Sequence, residues 1–253
     1  MMKLKVISLN IWMGGNLFAE ALEFLKQQDA DILALQEVHD SSDQNLAEQH
    51  RTFSVLKAAL GYEHADFVPA FINNLEVGKV PEGNAIFSKY PITARDHVFL
   101  NEPFNDNYYE IPENYASQPH TLQHVVIQTA VGDINYYNVH GVWDLDGDNY
   151  SDRRQQMSRV ILDQVKGQKN IILGGDTNAK PTNQAMLNIA AAVPSVFGTT
   201  VKSTFNMRRK DNPGYATAAV DMLFASPNIK VLQKDVPDVD ISDHLPLIVT
   251  FSL

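Results

Sequence analysis

The chain has 253 residues, 44% of them hydrophobic, enough to build a sizeable core. It contains no cysteine, which excludes disulfides, thiolate metal sites and a cysteine nucleophile, so any bound metal must be held by oxygen or imidazole. The net charge of −10 disfavours long nucleic acid as a partner, because sequence-independent binding calls for a basic footprint.

The N-terminus, MMKLKVISLNIW, carries two lysines and only a short apolar run. No secretory apolar region follows, and no window approaches the roughly 18 apolar residues of a membrane span, so a soluble cytoplasmic protein without a membrane span is expected. Residues 3–9 alternate and predict a strand. Residues 17–28 have helical spacing, with Gly14-Gly15-Asn16 as the turn and cap before them. DILALQE (31–37) is a strand that is apolar for most of its length and polar at its end.

A helix is expected over 45–60, and strands near 64–71, 84–88 and 92–99. Residues 100–120 are rich in Asn, Pro, Glu and Tyr and predict a long irregular excursion, the kind of loop that often serves function. HVVIQTAV and INYYNVHG, joined at Gly132-Asp133, predict a hairpin. A Ser-capped helix follows over 151–166, then the strand of NIILGGDTN, then an Ala-rich helix over 183–192. VDMLFASP, IKVLQKDV and LPLIVTFSL close the chain as three strands. There is no internal repeat, low-complexity tract or linker, so 1–253 reads as one mixed α/β domain.

Polar residues stand at the ends of these strands: Asn10, Glu37, His140, then Asp176 and Asn178, with Asp221 opening one late strand and Asp243-His244 leading into the last. Strand ends allow a layered fold to gather side chains from distant sequence on one rim. Acids, amides and imidazoles without thiols are an inventory for phosphoester hydrolysis on a hard divalent cation. An acid can take a proton from water, and imidazoles can steady charge developing on phosphate. Each residue alone has an ordinary structural role available to it. Asp176-x-Asn178, for example, could be an Asx turn capping the helix after Pro181. It is the order and the number that carry the signal. Asp176 and Asn178, two apart in an extended segment, would share a side, with Thr177 facing away and the two preceding glycines letting the chain turn at the rim.

SLNIW, LQEV, GNAIFSKYPI, NVHG, RRQQM, GGDTN, VDMLF and SDHLPL, in this order, resemble the endonuclease/exonuclease/phosphatase superfamily over nearly the whole chain. The resemblance implies a four-layer α/β sandwich of two packed mixed β-sheets flanked by helices, with the active site at one end. It implies Glu37 as the main metal carboxylate, with Asn10 and Asp243 close to a Mg2+ or Mn2+ ion. Asp176 would orient or deprotonate the attacking water, and Asn178 would donate to phosphate or to that water. His244, held by Asp221, and His140 would contact the scissile phosphate.

Asn84 belongs to a family motif, with strand packing as its alternative role. Arg153 and Gln156 match the family's R-x-x-Q, with a surface salt bridge as the alternative for Arg153. The chain departs from the nuclease pattern at Trp12, where many members place an acid, and Trp12 would form an apolar or stacking wall or else pack in the core.

WDLDGDNYSD (143–152) has the alternating acids of a calcium loop, but Asn149 and Gln155 stand where an EF-hand needs Gly and Glu, so a solvated acidic loop is expected. Ser242-Asp243-His244 cannot form a serine triad, since adjacent residues lack the geometry. The basic run Arg208-Arg209-Lys210 reads as a solvated loop or an anion site. The expectation is a metal-dependent phosphoesterase acting on a small or non-polymeric phosphoester, most readily a diester, with no obligate protein partner. A nuclease or DNA-repair phosphodiesterase and a non-catalytic ligand-binding member are the alternatives.

Overall fold

Lys3–Asn10 forms strand β1, in which Leu4 and Val6 face one way while Ile7 and Leu9 face the other. The computed structural model describes residues 2–144 and 148–253. After helix α1 (Phe18–Gln28), Ile32–His39 returns as β2, parallel to β1 and buried along nearly its full length. Helix α2 (Thr52–Leu60) precedes a hairpin of β3 (His64–Leu75) and β4 (Gly78–Ser88), then β5 (Ile92–Phe99) and the short β6 (Asn105–Tyr108). A second hairpin, β7 (Thr121–Thr129) and β8 (Gly132–His140), leads through α3 (Asp152–Val165) to β9 (Ile171–Asp176), which lies parallel to β8. Helix α4 (Gln184–Ala192) and strands β10 (Asp221–Ala225), β11 (Lys230–Asp235) and β12 (Leu247–Ser252) complete the chain.

The strands make two mixed sheets, β11-β12-β1-β2-β4-β3-β6 and β10-β9-β8-β7-β5. Between them lies an apolar layer that includes Leu4, Val6, Ile32, Ile86, Val125, Ile134, Ile172 and Leu223. On the outer face of the larger sheet, Ile7, Leu9, Leu33 and Leu35 pack on Ala21, Leu25 and Leu56 of α1 and α2. On the outer face of the smaller sheet, Tyr137, Val139 and Leu173 pack on Met157, Ile161, Met186 and Ile189 of α3 and α4. The result is the expected four-layer sandwich. Both faces of each central strand are buried, and each large apolar side chain removed from water contributes about 1.5–3 kcal/mol. That explains why β2 and β9 read as apolar runs rather than alternating ones.

Towards the site end the layer between the sheets turns polar. Asn138 donates to the backbone carbonyls of Leu35 (2.9 Å) and Ala85 (3.2 Å) across the gap and accepts from Gln36 Nε2 at 2.7 Å. Asn84 donates to Thr121 O at 3.0 Å and Oγ1 at 3.2 Å, so it joins the two sheets and takes the packing role rather than a place in the site. These fully buried amides fix how the two strand-end rims face each other.

Several boundaries differ from the sequence reading. The helix expected over 45–60 begins only at Thr52, because Ser41 and Asp43 hold local turns (Asp43 Oδ1 accepts from Asn45 N at 2.9 Å) that compete with a helix. Helix α1 has Leu17 at its N-cap, with no side-chain cap from Asn16. The strands near 64–71 and 84–88 are one long hairpin, closed where Leu75 pairs with Gly78. The excursion at 100–120 contains β6, paired parallel to β3, and a 3-10 turn over Pro112–Ser117. In the β7–β8 hairpin Thr129 pairs with Gly132, so the turn is Ala130-Val131 rather than Gly132-Asp133. Of the acidic stretch at 143–152, Asp146 lies outside the described residues. Asp144 is not simply solvated, since its Oδ2 accepts from the Ser151 hydroxyl at 2.5 Å. No helix among the described residues is long and apolar enough to cross a membrane.

Candidate active site

Each sheet contains one parallel β-α-β unit, β1-α1-β2 and β8-α3-β9, and these four strands end on the same rim. Asn10, His140 and Asp176 are the last residues of β1, β8 and β9. His140 is in register with Asp176, and Asp176 with Asp221 on β10. In β2, three steps from Leu35 to Val38 oppose only two on β4, from Ala85 to Gly83. This bulge holds Glu37 at φ +57°, a left-handed conformation that bulky L-residues avoid. It sends Gln36 inward to Asn138 and brings Glu37 to the rim. Strain held at such a position is common at functional sites.

Asn10 Nδ2 is shared between Glu37 Oε1 (2.7 Å) and Asp176 Oδ2 (3.1 Å), and its Oδ1 accepts from Trp12 N at 3.0 Å. Glu37 Oε2 accepts from Met13 N at 2.7 Å. The SLNIWM loop therefore wraps the Glu37 carboxylate, and Trp12 and Met13, both at positive φ, face the cleft. Trp12 is part of the wall and not of the core. Two imidazoles flank Asp176 Oδ2, with Nε2 of His140 at 3.9 Å and Nε2 of His244 at 3.8 Å. His244 Nδ1 meets Asp221 Oδ2 at 2.9 Å. Asp243 bonds Lys210 Nζ at 2.5 Å.

The segment after Asp176 is not extended. Asp176 Oδ1 accepts from Asn178 N at 2.9 Å in an Asx turn, and Asn178 has φ +50° with its Nδ2 on Gly141 O at 2.9 Å. Both side chains still line the cleft. Thr177 is structural, its hydroxyl donating to Val220 O at 2.7 Å. Helix α4 is capped by Asn183 and not by the Asp176–Asn178 pair. The two glycines sit inside β9 instead of at a turn. A Cβ on Gly175 would lie 2.0 Å from Val139 O, and one on Gly174 would lie 2.3 Å from Leu223 Cδ2.

The cleft has a volume of about 280 Å³. Glu37, His140, Asp176, Asn178, Asp243 and His244 line it, and Asn10 and Asp221 stand behind as hydrogen-bond partners. Its upper walls are aromatic. Tyr115 meets Trp143 edge-on at 5.6 Å, and Phe205 packs on Tyr215 at 4.4 Å. Burial pushes the Glu37 carboxyl above its ordinary range, as do the Asp243 and Glu82 charges, against the pull of His140 and the Asn10 hydrogen bond. Burial alone would pull His244 down, but Asp221, Asp176 and Asp243 outweigh it and raise the imidazole to about 10. Among the described residues, Asp176, Asp221 and His244 offer ligand atoms within 4.8 Å of one another. Since His244 Nδ1 is already engaged by Asp221, that group reads as a carboxylate–imidazolium pair and not as a metal cage. The carboxylate oxygens of Glu37 and Asp243 on the cleft wall, the latter shared with Lys210, fit a hard divalent cation better.

Several residues of the site lie outside the motifs that carry the resemblance. Glu110 and Tyr115 come from the 100–120 excursion, and Glu110 is pushed up to about 8 by burial and by the Glu82 and Glu37 charges. Lys210 lines the cleft, while Arg208 and Arg209 of the same run are tied to Asp238 and Asp240 at 2.7 Å each. Gln156 is exposed on α3, and Arg153 donates to Trp143 O at 2.9 Å. It is the neighbouring Arg154, fully buried, that reaches the site's backbone by donating to Asn178 O. Arg154, Met157, Ser158, Ile161 and Val165 share the buried face of α3, a helical spacing visible in the sequence. His120, buried behind His140 with ring centroids 5.1 Å apart, is held well below its ordinary pKa by burial and then by His140 and Arg153.

Residues 7–244 match the model of the Endonuclease/Exonuclease/phosphatase family. No curated protein matches the chain by sequence. Among solved structures, the chain resembles an endonuclease/exonuclease/phosphatase from Beutenbergia cavernae (TM-score 0.74, 21% identity, 100% of this chain and 72% of the other). It also resembles a mannosyl-6-phosphatase of Bacteroides thetaiotaomicron (0.70, 18%, 99% and 100%). The catalytic domain of human Nocturnin, solved with a sulfate anion, is similar too (0.72, 19%, 99% and 94%). These likenesses agree with the four-layer sandwich, and the family match spans most of the chain. The chain belongs to the endonuclease/exonuclease/phosphatase family, a family of phosphoester hydrolases.

Proposed function

We propose that the chain is a divalent-metal-dependent phosphoesterase that hydrolyses a small, non-polymeric phosphoester, most readily a diester, by in-line attack of water. The observation that carries this reading is the convergence of Glu37, His140, Asp176, Asn178, Asp243 and His244 on one 280 Å³ cleft. Glu37 would hold Mg2+ or Mn2+, with Asn10 and Asp243 beside it. When bound, the ion supplies Lewis-acid polarisation of a phosphoryl oxygen.

Asp176, hydrogen-bonded by Asn10 and by the Asn178 backbone, presents Oδ2 between two imidazoles, a fixed acceptor for the proton of an attacking water. His244, kept cationic by Asp221, donates from Nε2 to a phosphoryl oxygen as charge builds there, and His140 serves the opposite side. Arg154 holds the Asn178 carbonyl and so fixes the turn that aims Asn178.

A small substrate is favoured by the net charge and by the pairing of Arg208 and Arg209 with surface acids. A nucleic-acid substrate is the second reading, carried by the aromatic wall of Trp12, Tyr115, Trp143 and Tyr215, which offers faces to bases.

The test is a phosphoester panel with magnesium or manganese, then EDTA. It includes bis-p-nitrophenyl phosphate, p-nitrophenyl phosphate, sugar phosphates, single- and double-stranded DNA, RNA, sphingomyelin and inositol phosphates. Turnover that EDTA removes is expected, with Glu37→Ala, Asp176→Asn and His244→Ala each losing roughly 10²–10⁴-fold. Turnover close to wild type in any two of these variants sinks the mechanism. Metal binding without turnover on any member of the panel favours a binding protein.

A further inference from the structure

Among the described residues that line the cleft, Lys210 is the one lysine or arginine. Its ammonium is bonded to Asp243 Oδ2 and lies 5.4 Å from the ring centroids of both Phe205 and Tyr215. Side-chain accessibility is 23%, so the ammonium is partly exposed and anchored. The loop that delivers it is fastened to the Asp243–His244 segment. Asn206 N donates to Asp243 O at 2.8 Å, Asn206 Nδ2 to Ser242 O at 2.8 Å, and Leu245 N to Thr204 O at 2.6 Å. Arg209 clamps Asp240 with two bonds of 2.8 and 2.7 Å.

A positive charge held this firmly costs little reorganisation when an anion arrives. The same bond gives Asp243 an ammonium as partner, which leaves Glu37 as the carboxylate open to a metal.

We propose that Lys210 is a fixed cation for the phosphoryl group, binding its non-bridging oxygens and standing in for a second divalent ion, so that one metal ion per chain suffices. This rests on the phosphoesterase reading of the same cleft. A lysine that merely neutralised Asp243 would change metal affinity without changing anion affinity, and that difference can be measured.

The experiment compares the full chain with Lys210→Met, which keeps the aliphatic stem, and Lys210→Arg, which keeps the charge. Inorganic phosphate is titrated calorimetrically in saturating magnesium, bound Mn2+ is counted by electron paramagnetic resonance, and p-nitrophenyl esters report turnover. One Mn2+ per chain is expected in all three proteins. Phosphate affinity should fall roughly 10- to 100-fold in Lys210→Met and recover in part in Lys210→Arg. Two Mn2+ ions per wild-type chain, or equal phosphate affinity in wild type and Lys210→Met, overturns the assignment to Lys210 and leaves hydrolysis standing if the esters turn over. Phosphate binding that depends on Lys210 without turnover of any ester supports the anion site and removes the hydrolysis reading. A wild-type chain that binds no phosphate overturns the assignment to Lys210, and removes the hydrolysis reading as well if no ester turns over.

Discussion

His244 Nδ1 and Asp221 Oδ2 lie 2.9 Å apart with both side chains buried, 23 residues apart in sequence and held together where Phe205 bridges to His244. The carboxylate fixes which imidazole nitrogen faces the cleft, leaving Nε2 towards Asp176. Because the folded pKa is raised to about 10, the stabilisation is complete below the ordinary histidine range and is lost as pH rises through about 10. Asp221→Asn keeps the shape and removes the nearest charge, so burial regains weight. NMR of the ring nitrogens should show the wild-type imidazole still cationic at pH 8 and that of the variant titrating nearer neutrality. A wild-type ring that titrates at its ordinary value contradicts the pairing.

Glu37 gives a prediction with a metal. An ion that binds only the folded chain stabilises it by about 2.7 kcal/mol at a hundred times its Kd. Magnesium or manganese should therefore raise the melting temperature, EDTA should reverse the rise, and Glu37→Gln should abolish it. If Glu37→Gln keeps the full shift while Asp221→Asn loses it, the ion sits instead in the Asp176–Asp221–His244 group.

Gly175 tests the scaffold. Its φ of +145° and the 2.0 Å clash of an added Cβ with Val139 O leave no room for a side chain between β9 and β8. Gly175→Ala must part His140 from Asp176, which are paired in register one step further on. A loss on the order of 2–4 kcal/mol is expected, measured by urea unfolding. An unchanged midpoint shows that the strands yield at no cost.

The strand ends were legible because burial and chemistry meet there. An apolar run that stops at Asn10, His140 or Asp176 shows both the strand and its rim. The β2 bulge was not, since nothing in LQEV marks the extra residue; it follows from register against β4. The role of the two glycines was misplaced for a similar reason. GGD reads as a turn locally, and only the neighbouring Val139 and Leu223 show that bare backbone is needed inside the sheet. Lys210 and Glu110 reach the cleft from loops whose paths depend on long-range contacts, Lys210 on Asp243 and Glu110 on Asn73. Of the amide seam only Asn84 was legible, with strand packing as one of its two roles; Gln36 and Asn138 were hidden because polar residues within strands read as surface until two sheets close over them.

Glu110 carries the last prediction. Its Oε2 accepts from Asn73 Nδ2 at 3.2 Å, and the same amide donates to Glu82 Oε2 at 2.9 Å, so two carboxyls crowd one donor. Burial, then Glu82 and Glu37, raise Glu110 to about 8. The unfolded chain ionises this carboxyl in the ordinary acid range while the folded chain holds its proton longer. Its favourable contribution is thus complete at low pH and lost as pH climbs to about 8. Glu110→Gln keeps an amide in place of the neutral acid and cannot ionise. Melting temperatures recorded from pH 5 to 9 without metal should therefore fall less steeply in Glu110→Gln than in wild type. The difference between the two curves isolates Glu110 from His244, which loses its contribution over an overlapping range in both proteins. Parallel curves mean that Glu110 is ionised in the folded chain at neutral pH, and the cleft wall then presents a full negative charge to any substrate.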